Sequence, residues 1–166
     1  MADKQVFVTV GTTSFDELIE TLSSKTICQL LKKNGFKKVI MQIGRGQFEP
    51  PTDVQCDVEL QYYRYKNSID ADILNADLVI SHAGAGSCLE VLSAKKPLIV
   101  VINEGLMDNH QTELAEKLYR EGHILYGTCS DLASKLHHLD ISRLRPFESG
   151  RPEKFASFLD KLMGIS

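Results

Sequence analysis

Along the chain the spacing of apolar residues switches repeatedly between short β-branched runs and a helical period. Val6-Phe7-Val8-Thr9-Val10 reads as a strand ending at Gly11. Phe15, Leu18, Ile19 and Leu22, continued by Ile27, Leu30 and Leu31, mark one helical stretch. Asn34-Gly35 closes it, because glycine readily takes the left-handed backbone at which helices end. Residues 39–43 and 58–65 are further strands, separated by a long loop over 44–57 that carries two glycines and Pro50-Pro51. Ser68 is placed to cap a short helix reaching Asn75. Residues 78–81 and 98–102 are strands with a helix over 87–94 between them. The segment 108–121 is amphipathic through Leu114, Ala115 and Leu118 and stops at Gly122. A last short strand, Ile124-Leu125-Tyr126, precedes helices over 130–139 and 152–163. Strands apolar on both faces, alternating with helices, predict a parallel sheet covered on two sides. The expected architecture is a doubly wound, Rossmann-like α/β fold in one domain over residues 1–166.

Composition narrows the function classes. The longest apolar run, residues 98–102, is far short of the roughly 18 residues of a membrane span, so none is expected. Met1-Ala2-Asp3-Lys4-Gln5 leads straight into a strand pattern without a hydrophobic core segment, so no secretory leader is expected either. Cys28, Cys56, Cys88 and Cys129 lie too far apart for a disulfide framework or a zinc site and fit a reducing cytosol. The net charge is −3, with Lys and Arg scattered, which leaves no electrostatic footprint for nucleic acid.

In a doubly wound fold ligands bind at the carboxyl ends of the strands, and three of the loops there are chemically distinctive. The first is Gly11-Thr12-Thr13-Ser14, whose hydroxyls can cap a helix or hold an oxyanion or phosphate together with nearby amides. The second is His82-Ala83-Gly84-Ala85-Gly86-Ser87, where Gly84 and Gly86 let a diphosphate approach the backbone and Ser87 stands at the positive end of a helix. Glu90, one turn on, suits two adjacent ribose hydroxyls. The competing structural reading is a capping box, with Ser87 as cap and Glu90 at the third helical position. The third loop ends in Asn109, His110 and Gln111, amide and imidazole groups suited to a sugar or, singly, to a solvated helix start. A nicotinamide-dinucleotide reading is weaker, since Gly84-x-Gly86-x-x-Leu89 lacks the third glycine and follows a late strand. Asp70-Ala71-Asp72 has the form of a metal-holding D-x-D, but acidic residues in the first turn of a helix complement its dipole, and no metal is expected.

The order His82, Gly84, Ser87, Glu90, a proline-led strand and then Gln111 near a helix start resembles the donor-binding half of GT-B glycosyltransferases that use UDP-sugars. The likeness extends through "VFVTVGTTSFDELI", "QIGRG", "YRYKNSI", "ADLVISHAGAGSCLE", "KPLIVVINEGLMDNHQTELAEKL" and "PEKFASFLDKLMG". Together these are similar to the short eukaryotic catalytic subunits of the UDP-N-acetylglucosamine transferase that acts on dolichyl-diphosphate-GlcNAc. The resemblance implies inverting transfer of GlcNAc to a lipid-linked acceptor, making the chitobiosyl core for N-glycosylation, without a cofactor. It implies that His82, Gly84, Ala85, Gly86 and Ser87 contact the diphosphate, Glu90 the ribose, and Asn109, His110 and Gln111 the sugar. Gly11, Thr12, Thr13 and Ser14 would match a phosphate loop, and Tyr65 with Lys66 would seat uracil. An inverting transfer also needs a general base, and no residue is assigned to that role. A non-catalytic module that binds UDP-GlcNAc is the alternative. The resemblance further implies a membrane-anchored partner carrying the acceptor half, at the cytosolic face of the endoplasmic reticulum. The segment 152–166, with Phe155, Phe158, Leu159 and Leu162 at helical spacing, is the expected docking helix.

Overall fold

Strand β1, Lys4–Thr9, forms the middle of the molecule, with β2, Phe36–Gln42, parallel on one side and β5, Leu78–His82, parallel on the other. The computed structural model describes residues 4–52, 54–55, 57–103 and 109–145, with the side chains of 54–55, 85 and 109–112 outside the description. Beyond β2 lie β4, Val58–Tyr63, and a two-residue antiparallel edge strand β3, Val54–Gln55; beyond β5 lie β6, Leu98–Val101, and β7, Leu125–Gly127. The order β3-β4-β2-β1-β5-β6-β7 reverses direction of winding at the β1/β5 pair. That pair is the topological switch point, where a crevice opens above the carboxyl ends of the strands.

Period-two alternation along β1 divides the core. Val6 and Val8 face a cluster built from α1, Asp16–Leu22, α2, Lys25–Lys33, and α6, Leu132–His137. Phe7 faces the opposite way, into a cluster with α3, Asp70–Asn75, α4, Ala85–Ser93, and α5, Asn109–Arg120. The expected doubly wound α/β architecture is therefore the one observed, six strands of the sheet being parallel. No helix among the described residues is long and apolar enough to cross a membrane.

Several boundaries differ from the sequence pattern. The stretch expected as one helix after β1 is two, because Ser24 adopts an extended backbone (ψ 151°) and accepts a hydrogen bond from the Ile27 amide at 3.3 Å. The loop over 44–57 contains β3, and β4 ends at Tyr63, which leaves Tyr65 and Lys66 in the following loop. The expected helix over 130–139 is a 3-10 turn, Cys129–Asp131, running into α6. The proposed docking segment 152–166 lies outside the described residues.

Candidate functional site

At the switch point the loops after β1 and β5 meet on the ring of His82. Gly11 has φ +65°, a conformation that favours glycine, and a Cβ there would stand 3.1 Å from His82 Nε2. A Cβ on Gly84 would fall 2.4 Å from His82 Cε1. The imidazole thus occupies a slot that only two glycines leave open. Burial holds its pKa below the usual 6.5, so it is neutral at pH 7.

Helix α4 starts directly beyond this slot, with Gly84 as its N-cap and no side-chain cap bond. The capping box read from Ser87 and Glu90 does not form: Ser87 is already the third helical residue and Glu90 the sixth. What remains of that pair is its outward placement, since Ser87 and Glu90 both line a cleft of about 380 Å³. The helix start beneath them directs its free amides and positive dipole end toward the crevice.

Gly11 and Thr12 form a second wall of this cleft, and Tyr65, Lys66, Asn67 and Ser68 a third. Three loops separated in sequence therefore face one space. The helix-capping reading of the first loop fails, because α1 begins only at Asp16, after Phe15 as an N-cap without a side-chain bond. The loop's hydrogen bonds also divide its residues. The Gly11 amide donates inward to Thr9 Oγ1 at 3.0 Å, and the Thr13 hydroxyl donates to the Val10 carbonyl at 2.8 Å. Thr13 is tied back to the chain and Ser14 is exposed outside the cleft lining, so Thr12 is the hydroxyl of this loop that the cleft presents. Helix α5 is described from Asn109 onward, within the segment 108–121 expected to be helical; the side chains of Asn109, His110 and Gln111, like that of Ala85, lie outside the description.

Lys66 is held in place from behind. Its Nζ lies 3.2 Å from Asp72 Oδ2 and 4.3 Å from the centroid of the Tyr63 ring. Asp72 is buried and also accepts from the Tyr63 hydroxyl at 2.5 Å. Burial, reinforced by that carboxylate, pushes the Tyr63 pKa well up, so the phenol stays protonated and donates. The D-x-D reading is set aside by these contacts: Asp70 and Asp72 are in the first turn of α3, and Asp72 serves Tyr63 and Lys66.

Sequence reasoning missed Gln42, Asn67, Ser68, Ile69 and Asp70 as cleft residues. Gln42 did carry a signal, as a polar residue after the apolar run Val39-Ile40-Met41 of a parallel strand, the position from which side chains reach a ligand in this architecture.

The profile of the glycosyltransferase family 28 C-terminal domain matches residues 5–162. A UDP-N-acetylglucosamine transferase subunit ALG13 from Cryptococcus neoformans is 32% identical over 192 residues, spanning 96% of this chain and 96% of that protein. The chain belongs to the ALG13 family, within the glycosyltransferase family 28 C-terminal domains. A human ALG13 subunit is 56% identical over 126 residues, which is 76% of this chain but only 11% of the human protein. The chain thus spans about a tenth of the length of its mammalian relatives. An NMR solution structure of ALG13 superposes with a TM-score of 0.73 at 29% identity, covering 95% of both chains. MurG of Acinetobacter baumannii, at 22% identity and a TM-score of 0.69, shares the fold over 97% of this chain and 46% of its own.

Proposed function

We propose that this chain binds UDP-N-acetylglucosamine and, as the catalytic subunit of a two-chain enzyme, transfers GlcNAc with inversion to dolichyl-diphosphate-GlcNAc, the second step of lipid-linked oligosaccharide synthesis for N-glycosylation. One observation carries the reading: Gly11-Thr12, Tyr65-Lys66 and Ser87 with Glu90 line a single cleft at the switch point. Each wall offers what one part of a UDP-sugar needs. The Ser87 hydroxyl, the first amides of α4 and the neutral His82 ring suit the diphosphate, and they would stabilise UDP as it leaves. Glu90 suits the ribose hydroxyls, Tyr65 and Lys66 the uracil, and the Asn109–Gln111 end of α5 the sugar.

The family supports the same substrate, since its curated members are named UDP-N-acetylglucosamine transferase subunits. The word subunit, and the fact that MurG contains this fold in 46% of its chain, support a partner that supplies the acceptor half. That partner would be membrane-anchored, at the cytosolic face of the endoplasmic reticulum, because the acceptor is a lipid.

Calorimetric titration with UDP, UDP-GlcNAc, UDP-glucose and NAD tests the binding half of the proposal; UDP and UDP-GlcNAc should bind and NAD should not. Turnover of a lipid-linked GlcNAc acceptor by the chain with partner-containing membranes tests the catalytic half. Binding of UDP-GlcNAc without any transfer in that system would leave a sensing module in place of an enzyme.

A further inference from the structure

Gln42 is 3% exposed, yet it stands at the carboxyl end of β2 and lines the cleft. Its amide has one accepting end and one donating end, and a directed chain of hydrogen bonds fixes which is which. The Gly11 amide can only donate, and it donates to Thr9 Oγ1 at 3.0 Å. Thr9 is fully buried, so its own hydroxyl proton needs an acceptor, and the atom 2.5 Å away is Gln42 Oε1. Turning the amide over would leave that buried proton without a partner. The NH₂ end of Gln42 therefore faces away from Thr9. It has no protein acceptor among the described residues, and it is also absent from their buried unpaired polar atoms, of which Asp16 Oδ1 is the one found. A nearly buried donor that is neither paired nor sealed in must open onto solvent, and the solvent it borders is that of the cleft.

We propose that Gln42 contacts the donor substrate, its NH₂ donating to an acceptor oxygen of the nucleoside diphosphate, with Thr9 as the positioning residue that aims it. This rests on the UDP-binding reading above. Strand β2 runs between β1, whose loop brings Gly11 and Thr12, and β4, which leads to Tyr65 and Lys66. Gln42 thus stands on the cleft floor between the wall assigned to phosphate and the wall assigned to base. A neutral donor suits either a uracil carbonyl or a phosphate oxygen.

The test is calorimetric titration of the full chain with UDP and with uridine. Gln42→Glu keeps an oxygen for Thr9 and replaces the donor by a carboxylate oxygen. Affinity for UDP at about pH 7.5 should fall roughly ten- to a hundredfold. It should recover in part near pH 5, relative to wild type, as the introduced carboxyl takes up a proton and donates again. Gln42→Met should lose about tenfold with no such recovery. Thr9→Val should weaken UDP binding while Thr9→Ser, which keeps the hydroxyl, should not. A loss shared by uridine places the contact on the base; a loss confined to UDP places it on the diphosphate. If Gln42→Glu does not fold, Gln42→Met and the Thr9 pair carry the same comparison. Variants that fold and bind UDP as the wild type does would overturn the assignment. A wild-type chain that fails to bind UDP would overturn the functional reading first and this one with it.

Discussion

Among the described residues a Cβ on Gly86 would meet no atom outside its own helix turn within 4 Å, whereas one on Gly84 would strike the His82 ring. Two glycines in one turn therefore answer to different constraints: Gly84 makes room for the imidazole, and Gly86 leaves room that no other described residue uses. Gly86→Ala should leave stability unchanged or raise it by less than about 1 kcal/mol, since alanine is the better helix former. It should nonetheless weaken UDP binding, by about tenfold or more, if a diphosphate lies against that backbone. Thermal unfolding and calorimetry on one preparation check both halves, and unchanged affinity would remove the diphosphate from Gly86. His82 gives a second handle at this scale. Its folded pKa is depressed by burial, so the unfolded chain takes up the proton first as pH falls below the usual 6.5. Above that value the group makes no difference; below it, stability is lost until the folded pKa is passed. Urea unfolding should show wild-type stability declining as the pH falls below about 6.5, with a shallower decline in His82→Asn. Parallel profiles would show that the imidazole is not shielded as its slot implies.

At the scale of elements, the loop after β2 braces the loop after β1. The Arg45 amide donates to the Thr13 carbonyl at 2.9 Å, and a Cβ on Gly44, at φ +59°, would sit 2.0 Å from that same carbonyl oxygen. The Gln47 amide donates to Asp16 Oδ2 at 3.2 Å, and Arg64, just past the end of β4, donates to the Gly46 carbonyl at 2.6 Å. The glycines of "QIGRG" thus let two loops touch backbone to backbone, which gives the 44–46 segment its role. Gly44→Ala adds a left-handed penalty to an overlap with main chain that has nowhere to move. It should destabilise the fold by at least about 2 kcal/mol in urea unfolding and lower UDP affinity through displacement of Thr12. A variant as stable as the wild type would mean that the two loops do not depend on each other.

At the scale of the molecule, the same fold makes up 46% of the chain of MurG. The proposed reaction therefore needs a second body, and residues 152–166 are the proposed contact with it. Removing them should abolish co-sedimentation with partner-containing membranes and transfer to the lipid acceptor, while UDP binding by the remaining chain persists. A truncated chain that still sediments and still elongates the acceptor would assign docking to another surface.

Much of this was legible in the chain itself. Alternation between period two and period 3.6 determined the doubly wound sheet, because a strand apolar on both faces can be satisfied only between two helical layers. The glycine turn after β5 and the hydroxyl run after β1 marked the edge where a ligand belongs, because side-chain-free backbone beside polar groups has few other uses there. The sequence could not show which groups were already taken. Ser87 looked like a cap and proved to be helical, the Gly11 amide and Thr13 hydroxyl looked outward and are used within the chain, and Asp72, expected only to complement a helix dipole, holds Lys66 as well. Gln42 shows the same limit from the other side: its partner Thr9, and Gly11 and Ser87 with which it lines the cleft, come from other strands and loops. Local pattern reports periodicity and backbone freedom, which are properties of adjacent residues. The partner of a hydrogen bond is a property of strand order and register, and only the assembled sheet decides it.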